Sequence, residues 1–288
     1  MTKIFKLANI GTLIFFCLNL SLLLTIFTSG FSNTEAIPSV IVFYIITVAI
    51  SLSPIGEWII GVLAGARELR RYDLKLKLVP LLDIVVEKAT AQGTKLPSKI
   101  KLKIVHEQSP NAYAMGRKTI CVTDGLLEAD DNMIMGIFAH EVGHLAYKHT
   151  ALQVLIGGGN ILIAGFILIL KLFAWIFTAI CSLIAFRNRR SCFGCLLGIV
   201  AVIPSIMMFL WTRFCMLFLR ISMRQNEYVA DKFAFDIGFG NELAAALDAM
   251  HAGGVPKNGL LQALYATHPD YHDRIARLQM MGATYSRF

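Results

Sequence analysis

Long runs of uncharged residues constrain the fold of this chain more than any other feature of its sequence. They span residues 7–34, 36–56, 191–212 and, interrupted by Lys171 alone, 151–186. A helix that crosses a bilayer needs about 20 apolar residues. The runs therefore predict a mainly α integral membrane protein with about four transmembrane helices. The composition agrees, because 56% of the 288 residues are hydrophobic and 16% are charged, whereas soluble proteins have about a quarter charged.

Basic residues beside the first two runs predict the orientation of this hairpin. Lys3 and Lys6 precede the first run, and a basic cluster follows the second at Arg67, Arg70, Arg71, Lys75 and Lys77. Because basic loops stay on the cytoplasmic side, both flanks are expected in the cytoplasm. The first run is long for a secretory signal peptide and lacks a clean cleavage site after it, which favours a membrane anchor.

The later runs leave two arrangements open. Residues 151–220 must cross the membrane an even number of times if the segments on either side build one site. Two crossings would place the link Arg187–Arg190 outside, against the positive-inside rule. The alternative is a hairpin within 151–186 and no crossing by 191–220. This alternative is less favoured, because the second half of such a hairpin would have only about 15 residues.

The remaining segments predict a soluble α+β part with a small, antiparallel sheet. Helical spacing of apolar residues or capping residues predict helices over Leu74–Gln92, Met133–His149, Met223–Gly238, Glu242–Met250 and Ile275–Met281. Alternation and turn residues predict strands at Ile100–Val105, Asn111–Gly116 and Thr119–Thr123. The net charge of +8 suits anionic lipid head groups, and no nucleic-acid-binding motif accompanies it. Cys192 and Cys195 form a C-x-x-C without a second pair, so small residues near a membrane boundary are the favoured interpretation over a redox pair.

The segment from His140 to His144 carries the chemistry of this chain. It fits H-E-x-x-H and lies inside a predicted helix. Residues four apart share one helix face, so both imidazoles can bind one Zn²⁺ at about 2.0–2.1 Å. Glu141 lies beside them and is expected to act as the general base toward water. His149 falls at i+5 from His144, off the ligand face, and is interpreted as interfacial.

A third ligand is expected from a later helix, since catalytic zinc has three protein ligands and one open position. Glu227 and Asp231 lie at i and i+4. One carboxylate could bind the metal while the other accepts a hydrogen bond from a ligand imidazole. A solvated helix face, with Arg224 and Lys232 as partners, fits the spacing alone better.

Four pieces of the sequence, in this order, resemble one known family. They are Asn111-Ala-Tyr-Ala-Met-Gly, Thr123-Asp-Gly-Leu-Leu, Ala139-His-Glu-Val-Gly-His and Asn226-Glu-Tyr-Val-Ala-Asp. Together they resemble the membrane-embedded gluzincin metalloproteases, the family that includes HtpX and the type I CAAX prenyl protease, and the resemblance is closest to the HtpX branch.

The resemblance implies roles for several residues. It implies a zincin-type catalytic domain with one Zn²⁺ per chain, Glu227 as the third ligand and Asp231 as the partner of a ligand. It implies that an edge strand holds the substrate backbone through Asn111, Ala112, Tyr113 and Ala114. It also implies that His268 stabilises the oxyanion, with a capping or solvated histidine as the alternative. The expected organisation is a transmembrane hairpin at 1–66, a catalytic domain in two parts at 67–150 and 221–288, and a second membrane block at 151–220.

The function implied by the resemblance is protein quality control. It is that of a zinc-dependent endopeptidase in the cell inner membrane, with its site facing the cytoplasm and damaged membrane proteins or unfolded polypeptides as substrates. No G-x-x-x-x-G-K-[ST] motif is present, so cleavage is expected to be independent of ATP. Two alternatives are a processing protease for prenylated or membrane-anchored peptides, and a non-enzymatic membrane scaffold with a metal site. Glu141 argues against the scaffold.

Overall fold

The computed structural model describes residues 10–29, 36–150, 222–252 and 269–285, together with isolated positions between 165 and 220. The chain divides into two compact units. One contains Ile10–Ala49 and Ile156–Arg220, and the other contains Ile50–Leu155 and Ile221–Phe288.

The apolar N-terminal part forms three helices. They are α1 (Ile10–Ser29), α2 (Ala36–Ser51) and α3 (Pro54–Leu63). Among the described residues, no single helix is long and apolar enough to cross a bilayer by itself. The pair Ile37–Ser51 and Pro54–Leu63 reaches the required length and composition together, although the two helices are bent by 67° at their break. The four predicted crossings therefore stay a prediction.

The bend falls at Pro54, the first residue of α3. Ser53 is extended and caps the new helix, accepting hydrogen bonds from the backbone nitrogens of Ile55 and Gly56 at 3.2 and 3.4 Å. Proline at the first helical position needs no hydrogen-bond partner for its nitrogen. The residue before a proline is disfavoured in helical geometry, so the chain turns at this point.

A small mixed sheet follows. Its strands are β1 (Arg67–Glu68), β2 (Lys101–Val105), β3 (Ala112–Met115) and β4 (Thr119–Thr123), in the order β1-β2-β4-β3. The three predicted strands are confirmed, but the prediction of an antiparallel sheet is wrong because β2 pairs with β4 in parallel. All five residues of β4 are buried, and this strand lies between β2 and β3. The strand β3, which forms an antiparallel hairpin with β4, is left at an edge.

The helices of the soluble part surround this sheet and one apolar core. They are α4 (Tyr72–Ala91), α5 (Asp131–Tyr147), α6 (residues 222–236), α7 (Gly240–Ala252) and α8 (Tyr271–Met281). The predicted helices are confirmed with shifted ends. The helix α5 begins after Asp130, whose side chain accepts from Asn132 N at 2.8 Å, and it ends before Lys148. The helix α8 begins four residues earlier than predicted because Asp270 caps it in the same way.

Two glycines let α5 approach its neighbours closely. A Cβ at Gly136 would clash with the backbone nitrogen of Leu243 on α7. A Cβ at Gly143 would lie 3.0 Å from the ring of Phe233 on α6. The second contact brings α6 against the H-E-x-x-H segment, and this places the carboxylates of α6 beside the two histidines.

Candidate metal centre

His140 and His144 project side by side from one face of α5. They are one helical turn apart, and both are buried. Their Nε2 atoms are 3.0 Å apart. The predicted pair of ligands therefore aims two ring nitrogens at one point.

Glu227 reaches the same point from α6. Its Oε2 lies 3.4 Å from Nε2 of His140, and its Oε1 lies 3.3 Å from Nε2 of His144. Two ligands of a tetrahedral zinc ion, each at about 2.0–2.1 Å, are separated by about 3.3 Å. The observed separations match this value, and two imidazoles with one carboxylate are a donor set that zinc uses in catalytic sites. These three residues form a buried group that could hold a metal ion.

Asp231 and Arg274 contact His140 at Nδ1, its other ring nitrogen. Asp231 lies one turn after Glu227, and its Oδ1 is 2.8 Å from Nδ1 of His140. Arg274, on α8, donates from Nε to Asp231 Oδ2 at 2.8 Å and from Nη2 to Oδ1 at 2.6 Å. The guanidinium also lies 3.4 Å from Oε2 of Glu227. All four groups are buried, so the arginine balances two carboxylates that would otherwise repel each other.

The charges of this cluster set its protonation. Burial raises the pKa of Asp231, but Arg274 and His140 outweigh burial and lower it to about 2. Burial and Arg274 lower the pKa of His140, but hydrogen bonds to Asp231 and Glu227 outweigh both and raise it to about 9. Metal ligation requires the neutral imidazole, so a metal ion bound by His140 would displace that proton.

Glu141, next to His140 on α5, contacts the edge of the sheet. Its Oε2 accepts a hydrogen bond of 2.6 Å from the backbone nitrogen of Ala114 in β3. The carbonyl of Asn111 accepts from Thr123 N at 3.0 Å, and hydrogen-bonded pairs alternate along an antiparallel ladder. The N–H groups of Ala112 and Ala114 therefore face the free edge rather than β4. The residues predicted to bind substrate thus line the edge that borders the candidate base.

The structure brings together most of the predicted site residues, but not all can be placed. His140, Glu141, His144, Glu227 and Asp231 meet, with β3 beside them. His268 lies outside the described residues. Two further contacts were missed from the sequence. Arg274 lies 43 residues from Asp231, and no local pattern pairs them. His149 is buried against His144 at 3.0 Å, so its interpretation as interfacial is wrong. The sequence signal for Arg274 was a resemblance, because His268-Pro269 with Arg274 resembles a C-terminal element of the same family.

A zinc-type ligand set on an H-E-x-x-H helix, with a carboxylate base beside it and a free strand edge, defines a metalloprotease. The chain belongs to peptidase family M48, whose sequence profile matches residues 80–281. It is therefore a hydrolase that acts on peptide bonds, and the predicted enzyme class is confirmed. The metalloproteases of this family depend on zinc.

Individual relatives support the same branch of the family. The chain is 29% identical over 225 residues to a protease HtpX homolog from Dictyoglomus thermophilum, covering 70% of this chain and 69% of that one. It is 31% identical over 208 residues to a protease HtpX homolog from Campylobacter concisus, covering 63% and 68%. The predicted resemblance to HtpX is thus confirmed. The crystal structure of Ste24p from S. mikatae aligns with 90% of this chain and 61% of its own, at 19% identity and a TM-score of 0.46.

Proposed function

We propose that this metalloprotease is a zinc-dependent endopeptidase of the cell inner membrane that cleaves damaged or misfolded membrane proteins at the cytoplasmic side. One zinc ion per chain would be held by His140, His144 and Glu227. The observation that carries the proposal is the position of Glu141 between this buried ligand group and the free edge of β3. A peptide bound at that edge would lie next to both the metal ligands and the base.

The side chains around the ligands have separate tasks in this proposal. Zinc, when bound, supplies Lewis-acid chemistry that makes water acidic and polarises the scissile carbonyl. Glu141 accepts the proton from the water and passes it to the leaving amine. The N–H of Ala114 holds Oε2 of Glu141 and so limits the orientations of this carboxylate. Asp231 accepts from Nδ1 of His140, so that Nε2 carries the lone pair for the metal.

The free edge of β3 supports unfolded polypeptide as the substrate class. Extended peptides add to an exposed edge through main-chain hydrogen bonds. The N–H of Ala112 lies on that edge, whereas the N–H of Ala114 already donates to Glu141. A main-chain hydrogen bond to Ala112 requires no particular substrate side chain. Damaged proteins expose extended segments that native proteins bury, so a site of this kind would favour them.

The membrane location is supported by the uncharged runs and by the surface of α3. The helix α3 exposes Ile55, Trp58 and Leu63, and the basic cluster beginning at Arg67 follows directly. Tryptophan is enriched where membrane meets water, and basic residues mark the cytoplasmic flank. Both features would place the catalytic unit at the cytoplasmic face. The sequence contains no G-x-x-x-x-G-K-[ST] motif, which supports cleavage without ATP.

The catalytic proposal is tested with the full chain in detergent. Wild type, Glu141→Gln and Glu87→Gln are loaded with zinc, analysed for metal, and incubated without ATP with an unfolded membrane protein. Glu87 is exposed on α4, so its variant makes the same chemical change away from the site. We expect about one zinc per chain in all three and cleavage by wild type and Glu87→Gln only. Cleavage by Glu141→Gln at the wild-type rate would contradict the assigned base, and absence of zinc from wild type would contradict the ligand set.

The location is tested separately in cells. The membrane fraction is washed at alkaline pH, and the thiol introduced by Lys95→Cys at an exposed loop position is labelled with an impermeant reagent. The unsubstituted chain gives the background from native cysteines. The proposal predicts retention in the membrane and labelling only after the inner membrane is opened. Labelling with the inner membrane intact would place the catalytic unit on the opposite side.

A further inference from the structure

A buried histidine beyond the end of α5 contacts one of the metal ligands. Nδ1 of His149 lies 3.0 Å from Nδ1 of His144, and 4% of the residue is exposed. The contact is possible because α5 ends at Tyr147 and Lys148 adopts the left-handed conformation, with φ of 60°. The chain thereby folds back on the last helical turn, and the helical spacing of i+5 no longer applies.

The backbone that produces this contact is unusual. Lys148 has the only positive φ of a non-glycine residue in the described part of the chain. Left-handed backbone is uncommon for residues with a side chain, and where it occurs it is often linked to a functional site. Here the residue directly after it is the one that touches the ligand.

Residues shortly before and directly after His149 hold its ring in place. The ring of Tyr147 stacks on it, with centroids 5.7 Å apart and planes 17° from parallel. The next residue, Thr150, is buried and donates from its hydroxyl to the carbonyl of Gly116 at 2.5 Å. Gly116 lies in the turn between β3 and β4. The position of the histidine is therefore fixed by the helix end and by the sheet.

The hydrogen bond determines which nitrogens carry protons. Nε2 of His144 faces Nε2 of His140 and Oε1 of Glu227, so it must present a lone pair to a metal. Its proton then lies on Nδ1. An Nδ1–H donor needs an acceptor, and at 3.0 Å that acceptor is Nδ1 of His149. The proton of His149 consequently lies on Nε2.

We propose that His149 is a positioning residue, which accepts a hydrogen bond from Nδ1–H of His144 and so holds that ligand in the tautomer and ring orientation that bind zinc. The inference rests on the proposed zinc site. His149 does for His144 what Asp231 does for His140, with one difference. A neutral imidazole replaces a carboxylate, so it strengthens the basicity of its ligand less. The two histidine ligands are therefore unequal, and His140 is the stronger donor.

Two substitutions of similar shape separate the hydrogen bond from packing. In His149→Asn the amide oxygen takes the place of Nδ1 as an acceptor, whereas His149→Leu fills similar space without one. His106→Leu removes a histidine that is exposed and paired with Asp124, and it serves as the control. Zinc affinity of the full chain in detergent is measured by competition with a fluorescent chelator. Thermal unfolding with the zinc removed compares the folds.

The expected result is a split between the two variants. Loss of a partner of a metal ligand weakens metal binding about 10–100-fold, so His149→Leu should do so. His149→Asn should stay within about threefold of wild type because the acceptor is kept. Equal weakening by both variants, or wild-type affinity in His149→Leu, would overturn the inference. Failure of wild type to bind zinc would instead overturn the proposed metal site.

The unsubstituted protein gives a second test that misfolding of a variant cannot affect. In zinc-loaded protein with ¹⁵N-labelled histidine, Nδ1 of His144 should have the chemical shift of a protonated nitrogen. Nδ1 of His149 should have that of an unprotonated acceptor. A proton on Nδ1 of His149 would overturn the inference, whatever the variants show.

Discussion

The backbone nitrogen of Ala114 donates a hydrogen bond of 2.6 Å to Oε2 of Glu141, and this bond joins the edge of the sheet to the carboxylate of the H-E-x-x-H helix. A hydrogen bond to a charged acceptor contributes about 1.5–3 kcal/mol. The bond keeps Glu141 turned toward the strand along which a peptide would lie. In the proposed function it would therefore couple the strand that binds substrate to the group that takes the proton.

Removing this N–H should slow the reaction without unfolding the sheet. In Ala114→Pro the nitrogen loses its hydrogen, but that hydrogen faces the free edge and not the ladder, where proline is tolerated. We expect kcat to fall about 10–150-fold, as the loss of 1.5–3 kcal/mol implies. Ala114→Ser retains the N–H and is the control. A proline variant with the kcat of wild type would show that the hydrogen bond does not orient Glu141.

The contact of Asp231 with both His140 and Arg274 predicts a double defect in Asp231→Asn. Loss of the charge leaves a buried guanidinium with fewer partners, which costs about 3–5 kcal/mol of the free energy of unfolding. Zinc affinity should also fall about 10–100-fold, because His140 loses its carboxylate acceptor. Chemical denaturation and chelator competition measure the two effects.

The same helix offers the control for this variant. Asp236 is exposed and forms an ion pair of 2.8 Å with Lys232. Pairs of this kind contribute about 0.3–0.5 kcal/mol, so Asp236→Asn should change neither stability nor zinc affinity appreciably. Equal effects of the two substitutions would show that the buried cluster has no special role.

The close approach of α5 and α7 predicts that alanine at Gly136 destabilises the protein. In an exposed helix, replacing glycine by alanine stabilises by about 1 kcal/mol. At Gly136 the new methyl group would clash with backbone atoms of α7, so we expect the free energy of unfolding to fall by about 1–3 kcal/mol. Gly143→Ala should cost less, since its nearest neighbour is the ring of Phe233, which can shift. The midpoint of urea denaturation is measured for both variants. A stabilised Gly136→Ala variant would contradict the packing of α5 against α7.

The thiol of Cys121 should be chemically inert in the folded protein. Burial raises its pKa to about 12, and no part of the residue is exposed. The thiolate is the reactive form, so alkylation at pH 8 followed by mass spectrometry should detect modification only after denaturation. The thiol introduced by Lys95→Cys, on an exposed loop, should react in the native state. Comparable rates at the two positions would refute the burial of this strand.

Local patterns in the sequence predicted the parts of the site that lie on single helices. The spacing of His140 and His144 was sufficient to place both on one face, and Glu227 and Asp231 share a face of α6 for the same reason. Strand positions were also predicted correctly. These features depend on residues within one or two turns of each other, and periodicity reports such relationships directly.

Features that depend on tertiary contacts were not predicted. The parallel pairing of β2 with β4 requires β4 to take the centre of the sheet, which no single strand reveals. The salt bridge between Asp231 and Arg274 joins segments 43 residues apart. His149 was misplaced because the prediction extended α5 through it, whereas the left-handed turn at Lys148 ends the helix first. Helix ends are the least certain part of such predictions.

The metal centre includes Arg274, a residue that the ribosome adds long after the histidine ligands. Its guanidinium contacts His140, which lies 134 positions earlier in the chain, and it balances the charges of Asp231 and Glu227 from α8. A ribosome makes His140 and Glu141 long before this arginine, so a nascent chain carries the base and two histidines without the cluster that holds them. The buried cluster around the metal ligands is thus complete only after α8 has been synthesised and Arg274 has reached Asp231 and Glu227.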